Sequence, residues 1–337
     1  MSFINKYSTI IRFSNKEMLN IYSDNDIKFE YFDKNKNLLY SNSIPNSSYL
    51  DFTNSYFDLN SDDSVYGIYK NNSLNLMEIK NNGNEILKKE ILNYDYKRFD
   101  ILFPYVKILD NNIHILYYLY EKNSFNTCTL FHNYNKNNTW IKNKVDCIDH
   151  IILDNFKVFW IDNTPIVFYF KLINGYEEIF CSKFNSSTLD WSCPIQITNS
   201  SKNKLYLSIL KDYKNFYHLT FCENINNGYA VKYINGYLKE NKFDVNISSY
   251  TSSPSTCRFP NLIKYKSDLY LTWVNHEKLY TCKSFDLGKT WSNPTIDDVS
   301  LNKDFTRAKF LSNYKEDLNY NISDIFTISN KIDIIGY

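Results

Sequence analysis

Arginine is scarce in this chain, and its positions are not random along it. Only four of the 38 basic residues are arginine. Arg98, Arg258 and Arg307 fall in loops between predicted repeats or at the start of predicted strands, whereas Arg12 falls inside a strand. A guanidinium group can hold a carboxylate through two parallel hydrogen bonds, which an ammonium group cannot do. We therefore predict that Arg98, Arg258 and Arg307 are ligands for an acidic group.

Four glutamates occupy a recurring position, just after the second predicted strand of successive repeats. They are Glu121, Glu177 (with Glu178 beside it), Glu223 and Glu277. If the repeats are arranged alike, these loops share one face with the three arginines, and together they form a predicted ligand site. The alternative is that the glutamates only form salt bridges that hold loops in place. Exposed pairs of that kind contribute little stability.

Other signatures of reactive sites are absent from the sequence. The five histidines show no metal-ligand spacing, and there is no glycine-rich phosphate loop or serine nucleophile elbow. We predict no metal and no cofactor, and we assign no catalytic residue. A net charge of +1 gives no electrostatic reason for nucleic-acid binding. The longest apolar runs are strand-sized, so no membrane span is predicted.

The elements that must position these residues follow a repeat of about 50 residues. A Cys-x-x-Phe sequence precedes a tryptophan three times, at residues 128–131 before Trp140, 181–184 before Trp191 and 282–285 before Trp291. Each repeat alternates apolar strand-like runs with Asn- and Asp-rich turns. The pattern predicts an all-β chain over residues 1–337, a single β-propeller domain of four-stranded antiparallel blades. Seven blades are favoured and six are the alternative.

The seventh blade is the shortest in this prediction. Its four strands are placed at residues 308–311, 318–321, 324–328 and 332–337. In the alternative with six blades, this C-terminal segment closes the ring of blades.

One turn of the sixth repeat has a specific residue pattern: Ser284-x-Asp286-x-Gly288-x-Thr290-Trp291. The carboxylate of Asp286 can accept backbone N–H groups of the turn, and Gly288 can adopt a left-handed conformation. The ring of Trp291 can pack on a neighbouring blade. We therefore predict a structural role for these five residues.

This motif and its weaker copies resemble those of the sialidase-like, Asp-box (BNR repeat) β-propellers. The resemblance implies that the Asp-box hairpin joins the third and fourth strands of a blade, away from the ligand site. In the catalytic members, three arginines surround a carboxylate, a tyrosine activated by a glutamate is the nucleophile, and an aspartate is the acid. Among 30 tyrosines none stands out as that nucleophile, and the family's N-terminal Phe-Arg-Ile-Pro motif is absent.

We therefore predict a non-catalytic, lectin-like propeller that binds carbohydrate or protein. Two alternatives stay open: a diverged sialidase-like glycoside hydrolase, and a structural surface or coat protein. The N-terminal residues do not form a charged-then-apolar leader, so we expect cytoplasmic synthesis, with cell-surface or coat association still possible. Three of the seven cysteines, Cys128, Cys181 and Cys282, share one repeat position and are expected to be buried as small apolar residues. Reduced cysteines are favoured, and a bridge between adjacent strands such as Cys181–Cys193 is the alternative.

Overall fold

The structure is a computed structural model, and it describes residues 2–24, 26–44, 53–80, 85–109, 112–124, 126–136, 139–322, 324–328 and 333–336. The chain divides into two compact units. Unit 1 comprises Met1–Lys6, His150–Ala308 and Asn319–Tyr337, and unit 2 comprises Tyr7–Asp149 and Lys309–Leu318. The prediction that residues 1–337 form one domain stays a prediction.

Strands dominate because apolar and polar side chains alternate along the chain. In the segment Asp26–Phe32, the side chains of Ile27, Phe29 and Tyr31 are buried and those between them are partly exposed. Successive side chains of a strand point to opposite faces, so this alternation gives each strand one face for the core. The all-β prediction is confirmed.

The first twelve strands follow each other in antiparallel pairs and contribute to three sheets. The first set is β1 (Phe3–Arg12), β2 (Met18–Asp24), β3 (Asp26–Phe32) and β4 (Leu38–Ile44). The second is β5 (Ser55–Leu59), β6 (Val65–Lys70), β7 (Ser73–Lys80) and β8 (Glu85–Asn93). The third is β9 (Phe99–Leu109), β10 (Asn112–Glu121), β11 (Thr127–Lys136) and β12 (Thr139–Asp149).

Three further sheets belong to unit 1, again antiparallel and in chain order. The fourth sheet is β13 (Lys157–Ile161), β14 (Thr164–Ile173), β15 (Tyr176–Asn185), β16 (Asp190–Trp191) and β17 (Ile195–Gln196). The fifth is β18 (Lys204–Lys211), β19 (Phe216–Ile225), β20 (Gly228–Leu238) and β21 (Phe243–Tyr250). The sixth begins with β22 (Arg258–Tyr265), β23 (Asp268–Asn275), β24 (Lys278–Ser284) and β25 (Thr295–Ile296).

In the part of the chain that the structure describes, helical structure is confined to short connections. The helix α1 (Asp298–Asn302) has five residues, and two 3-10 turns cover Tyr213–Asn215 and Asp317–Asn319. Among the described residues, no helix has the length and apolar character needed to cross a membrane.

The C-terminal strands correct the favoured count of seven blades. They are β26 (Phe305–Ser312), β27 (Tyr320–Ile322), β28 (Asp324–Ile328) and β29 (Ile334–Ile335). Strand β27 pairs with β22 of the sixth sheet, and the other three extend the first sheet in the order β29-β28-β26-β1. The described residues therefore form six sheets, with no separate seventh. Residues 332 and 337 of the predicted last strand lie outside the described part of the chain.

The C-terminal strands join existing sheets because the backbone groups at a strand edge need hydrogen-bond partners. A three-residue strand such as β27 offers too few hydrogen bonds to organise a sheet, and the unpaired edges of β22 and β1 are better satisfied by pairing. Sequence periodicity does not reveal which edge a short strand will join.

The cysteines at the repeat position are buried, as predicted. All seven thiols are free, and five of them are buried: Cys128, Cys181, Cys222, Cys257 and Cys282. Three of these five begin the Cys-x-x-Phe sequences, so they pack as small apolar residues.

Candidate functional site

The predicted site residues are divided between the two units. Arg98 and Glu121 belong to unit 2, where the Nε of Arg98 donates to Glu121 over 2.8 Å. The two side chains are 62% and 38% exposed, so this pair contributes little stability. Arg258, Arg307 and the other three glutamates belong to unit 1.

One arginine packs on a pair of aromatic rings in unit 1, and a second arginine precedes one of these rings in the chain. The guanidinium carbon of Arg307 lies 3.7 Å from the ring centroid of Phe259, and that ring lies 4.3 Å from the ring of Tyr206. Burial raises the pKa of Tyr206, as does the nearby carboxylate of Asp154, while Arg258 and Arg307 both act to lower it. Both guanidinium groups are therefore within electrostatic reach of the Tyr206 hydroxyl.

The backbone at these two aromatic residues is strained. Tyr206 has a φ of 62° and Phe259 a φ of 53°, and both sit where the pairing register of a first strand shifts. Positive φ is rare for bulky residues and costs of order 1–2 kcal/mol, because the Cβ crowds the following carbonyl. The carboxylate of Asp154 accepts the backbone N–H groups of Tyr206 (2.7 Å) and Leu207 (3.3 Å) and so holds one bulge. Phe103 has the same conformation (φ of 51°) at the equivalent register shift of β9, so this bulge is shared by the first strands of three sheets.

The turn between β23 and β24 brings the third component. Asn275 pairs with Lys278, so His276 and Glu277 form a two-residue hairpin loop, and both have positive φ (46° and 61°). Such type I′ turns normally use Asn and Gly. The equivalent turns of the two preceding sheets do so, with Asn174-Gly175 and Asn226-Asn227. The sixth sheet alone among these three carries ionisable side chains in its turn.

Those two side chains contact Arg258 and Ser255. Glu277 accepts a hydrogen bond from a terminal nitrogen of Arg258, and the Nε2 of His276 lies 2.9 Å from the Ser255 hydroxyl. Together with Thr256, the residues Arg258, His276 and Glu277 line a pocket of about 590 Å³. The Nε of Arg258 is buried and makes no hydrogen bond to any residue in the described ranges. The Arg258 guanidinium is thus fixed at one nitrogen and has donor capacity left for a ligand.

We call Tyr206, Arg258, Phe259, His276, Glu277 and Arg307 the arginine site. It joins two arginines suited to a carboxylate, an imidazole that can accept or donate a proton, and a tyrosine hydroxyl. Such a set can bind an acidic sugar and transfer protons to and from it.

The remaining predicted glutamates lie in strands and are buried, which corrects their predicted loop position. Glu177 and Glu178 lie in β15 and are 2% and 1% exposed, and Glu223 lies in β19 and is 0% exposed. The Nζ of the fully buried Lys204 lies 2.9 Å from Glu178 and 3.8 Å from Glu223. Burial lowers the pKa of Lys204, and the carboxylate of Glu178 opposes this.

A tyrosine and a second lysine complete this group of charges. Glu223 accepts hydrogen bonds from the Tyr250 hydroxyl, from Lys232 Nζ (3.0 Å) and from the Ser200 hydroxyl (2.6 Å). Burial acts to raise the pKa of Glu223, but these three hydrogen bonds outweigh it and lower the pKa. We call Glu178, Lys204, Glu223, Lys232 and Tyr250 the lysine–glutamate cluster.

The turn after β24 is held by hydrogen bonds among its own residues. Asp286 accepts the Thr290 backbone N–H (2.9 Å) and hydroxyl (2.6 Å), and the Ser284 hydroxyl accepts the N–H of Gly288 (2.8 Å). The hydrogen bonds from Thr290 lower the pKa of Asp286 to about 2. Gly288 has a φ of 85°, and the Trp291 ring lies 5.0 Å from Tyr233 of the fifth sheet. These contacts all hold the turn and its packing.

Sequence reasoning missed five members of these two groups: Tyr206, His276, Lys204, Lys232 and Tyr250. Tyr206 was only part of a predicted strand, His276 only one of the scattered histidines, and Tyr250 one of many tyrosines. The only sign of these residues in the sequence was that His276 and Glu277 occupy, in the sixth repeat, the turn position that Asn174 and Gly175 occupy in the fourth.

Comparison with known proteins shows similarity in fold but not in sequence. No family model matches the chain, and no curated protein matches it. A PL25 ulvan lyase, solved bound to -[GlcA(1-4)Rha3S]-, matches with a TM-score of 0.64 and 10% identity over 99% of this chain and 92% of its own. Polysaccharide lyase Uly1 matches with a TM-score of 0.56 and 8% identity over 88% of this chain and 82% of its own. A microbial sialidase, Hz136, reaches only 0.48 at 9% identity, covering 85% of this chain and 69% of its own.

These comparisons correct the prediction of a non-catalytic, lectin-like binding module. The two solved structures with TM-scores above 0.5 named here are enzymes that cleave polysaccharides.

Proposed function

We propose that this protein is a carbohydrate-active enzyme that binds an acidic sugar of a polysaccharide at the arginine site and cleaves the adjoining glycosidic bond. The observation that carries the proposal is geometric: Arg307 packs on the ring of Phe259 beside Tyr206, and the adjacent Arg258 lines a pocket with His276 and Glu277. The fold similarity to polysaccharide lyases supports it.

Elimination is the reaction that these side chains suit best. In a uronic acid, the proton on C5 is acidified by the neighbouring carboxylate once that carboxylate's charge is neutralised. The two arginines would supply this neutralisation, because charge accumulates on the carboxylate as the proton leaves. No water is consumed, and the product carries a new C4=C5 double bond.

Two proton carriers are needed for this step. His276 is assigned as the base that takes the C5 proton, because a ring nitrogen of neutral imidazole can accept a proton and His276 lines the same pocket as Arg258. As the C4–O bond breaks, its electron pair goes to the leaving oxygen, which takes a proton from the Tyr206 hydroxyl. Glu277 positions Arg258 through their hydrogen bond.

A sialidase-like hydrolase is the second candidate, and one contact favours it. The Tyr250 hydroxyl donates to Glu223, which is the kind of Tyr–Glu pair that a tyrosine nucleophile requires. However, the lowered pKa of Glu223 makes it a weak base, and two lysines rather than arginines lie beside the pair. We therefore rank hydrolysis below elimination.

The experiment separates the two reactions by their products. Purified protein is incubated with ulvan, other polyuronates, sialosides and a neutral glucan, and both new reducing ends and ultraviolet absorbance of an unsaturated sugar are measured. Elimination gives both signals, whereas hydrolysis gives reducing ends alone. Absence of cleavage on every acidic substrate would refute the proposal.

Matched arginine variants test the site itself. Arg258→Lys and Arg307→Lys keep the charge but lose the planar fork, so we expect kcat/KM to fall by roughly 100-fold or more, the size of effect seen when a transition-state donor is lost. Arg12→Lys is the control, because Arg12 binds both oxygens of Asp317 in unit 2 (3.0 and 3.1 Å) and is not part of the site. Equal activity of all three variants would remove the arginines from the mechanism.

The finer identity of the fold is also proposed. We infer that the sheets are blades of one sialidase-like β-propeller and that Ser284–Trp291 is its Asp box, a reading supported by the repeated four-strand order and by the hydrogen bonds of Asp286. An experimental structure of the full chain tests this. Cytoplasmic synthesis with cell-surface or coat association is a separate proposal, which cell fractionation with an antibody tests.

A further inference from the structure

An exposed aromatic ring lies at the end of β21 with two ammonium groups beside it. Tyr250 is 42% exposed. The Nζ of Lys232 lies 4.9 Å from its ring centroid, and the Nζ of Lys202 lies 5.7 Å from the same point. Exposed aromatic rings offer an apolar surface for sugar rings, and the lysines add positive charge at the rim of that surface.

This ring is held unusually firmly for an exposed side chain. Its hydroxyl donates to Glu223, which is fully buried and fixed by Lys232, by Ser200 and, at 3.8 Å, by the buried Lys204. Glu178 in turn binds Lys204 and the backbone N–H of Ser200 (2.9 Å). A side chain that is already immobilised loses little conformational entropy on binding a ligand.

The strand β20 links this ring to the arginine site. Lys232 pairs with Tyr250 in the sheet, and Tyr229, three residues earlier on β20, forms a backbone bridge with Thr256 of the pocket. Strand residues rise about 3.3 Å each and bridged backbones lie about 5 Å apart, so the backbones of Lys232 and Thr256 are within roughly 15 Å. A chain of a few sugar residues can span that distance, whereas a single terminal sugar cannot.

We propose that Tyr250, Lys202 and Lys232 form a second subsite for an acidic polysaccharide, occupied by sugar units beyond the one bound at the arginine site. This inference rests on the proposed function and makes it more specific. The substrate is a polymer with several acidic groups, such as carboxylates or sulfates, and not a single terminal acidic sugar.

The subsite is tested by the dependence of binding on ligand length. Ulvan oligosaccharides of one repeat and of several repeats are titrated by calorimetry into the His276→Ala background, which prevents turnover. We expect the longer ligand to bind roughly tenfold more tightly, because the second contact becomes intramolecular. Tyr250→Ala should remove most of this advantage and leave the affinity for one repeat unchanged.

Two further variants keep the test decisive. Lys202→Gln changes a partly exposed side chain without removing a partner of Glu223, and we expect it to reduce the length advantage by roughly twofold to fivefold. Tyr213→Ala is the matched control, because Tyr213 is 76% exposed on another turn of unit 1, and it should change neither affinity. Thermal melts verify that each variant is folded.

The outcomes separate this inference from the proposed function. Equal affinity for short and long ligands, equal weakening of both by Tyr250→Ala, or no binding of either would overturn the subsite. A wild-type protein that favours long ligands but cleaves none of them supports the subsite and refutes the catalytic proposal. Cleavage without any preference for length supports catalysis and overturns the subsite.

Discussion

The turn formed by His276 and Glu277 is expected to reduce stability in exchange for function. Replacing both residues, as His276→Asn with Glu277→Gly, restores the composition that a type I′ turn favours. We expect the double variant to be more stable than the wild type and to lose cleavage of acidic polysaccharide. The hairpin fold itself should not change, because the same turn is formed by Asn174-Gly175 between β14 and β15.

The expected gain follows from the backbone angles. Each of the two residues has a left-handed conformation, with φ of 46° and 61°, which costs about 1–2 kcal/mol for an ordinary side chain. Against this, glycine in place of Glu277 raises the entropy of the unfolded chain by about 0.5–1 kcal/mol. Loss of the half-exposed pair with Arg258 (34% and 45% exposed) costs at most about 1 kcal/mol. The net expectation is a stabilisation of about 1 kcal/mol.

Chemical denaturation at neutral pH measures this difference. The control is Asn227→Gly in the turn between β19 and β20, where both Asn and Gly tolerate the left-handed conformation (φ of 70°), so the midpoint should move little. If the His276→Asn, Glu277→Gly variant is less stable than the wild type, the strain argument is wrong. If it keeps full activity, the turn has no part in the site.

Three further predictions concern the remaining buried groups. Burial lowers the pKa of His114 to about 4, and burial together with His114 lowers the pKa of His132 well below its usual value, so both side chains are neutral in the folded protein. Acidification below pH 6.5 or so should then destabilise the protein, by about 3 kcal/mol from His114 alone on reaching pH 4. His114→Phe should flatten this pH dependence in denaturation experiments. Gly288→Ala should lower the free energy of unfolding by at least about 2 kcal/mol, because the added Cβ would overlap a tyrosine side chain. Gly175→Ala is the control at a similar φ: its Cβ would meet nothing within 4 Å, so the loss should be about 1 kcal/mol, and equal losses in the two variants would contradict the prediction. Lys204→Met should lower the unfolding free energy by about 3–5 kcal/mol, because two buried carboxylates lose their shared cation, and a loss below about 1 kcal/mol would show that the cluster is not electrostatically coupled.

Part of the candidate site could be predicted from residue types alone. The scarcity of arginine singled out Arg258 and Arg307, and their placement near one tyrosine agrees with a carboxylate site. Glu277 was also predicted, and it contacts Arg258. Arg98 belongs to unit 2, whereas these residues belong to unit 1. This could not be predicted, because residue spacing within a repeat does not show which repeats form one compact unit.

Burial separated glutamates that the sequence treats alike. Glu121 and Glu277 remain partly exposed and pair with arginines, whereas Glu223 is fully buried and is neutralised by lysines. Their positions relative to the predicted strands are similar, but the depth of each in its sheet depends on the neighbouring sheet that packs against it. The prediction of a non-catalytic protein was wrong for a different reason. The absence of the family's Phe-Arg-Ile-Pro motif was taken to mean that the protein catalyses no reaction.

The sequence by itself determined the strands, because alternation of apolar and polar side chains and Asn-rich turns are local properties. It also determined the self-bonded turn at Ser284–Trp291, whose hydrogen bonds join neighbours in the chain. Tertiary structure decided that β27 pairs with β22, that Tyr206 and Phe259 adopt left-handed backbone, and that Tyr250 meets Glu223. These features depend on contacts between residues far apart in the chain, which no local pattern encodes.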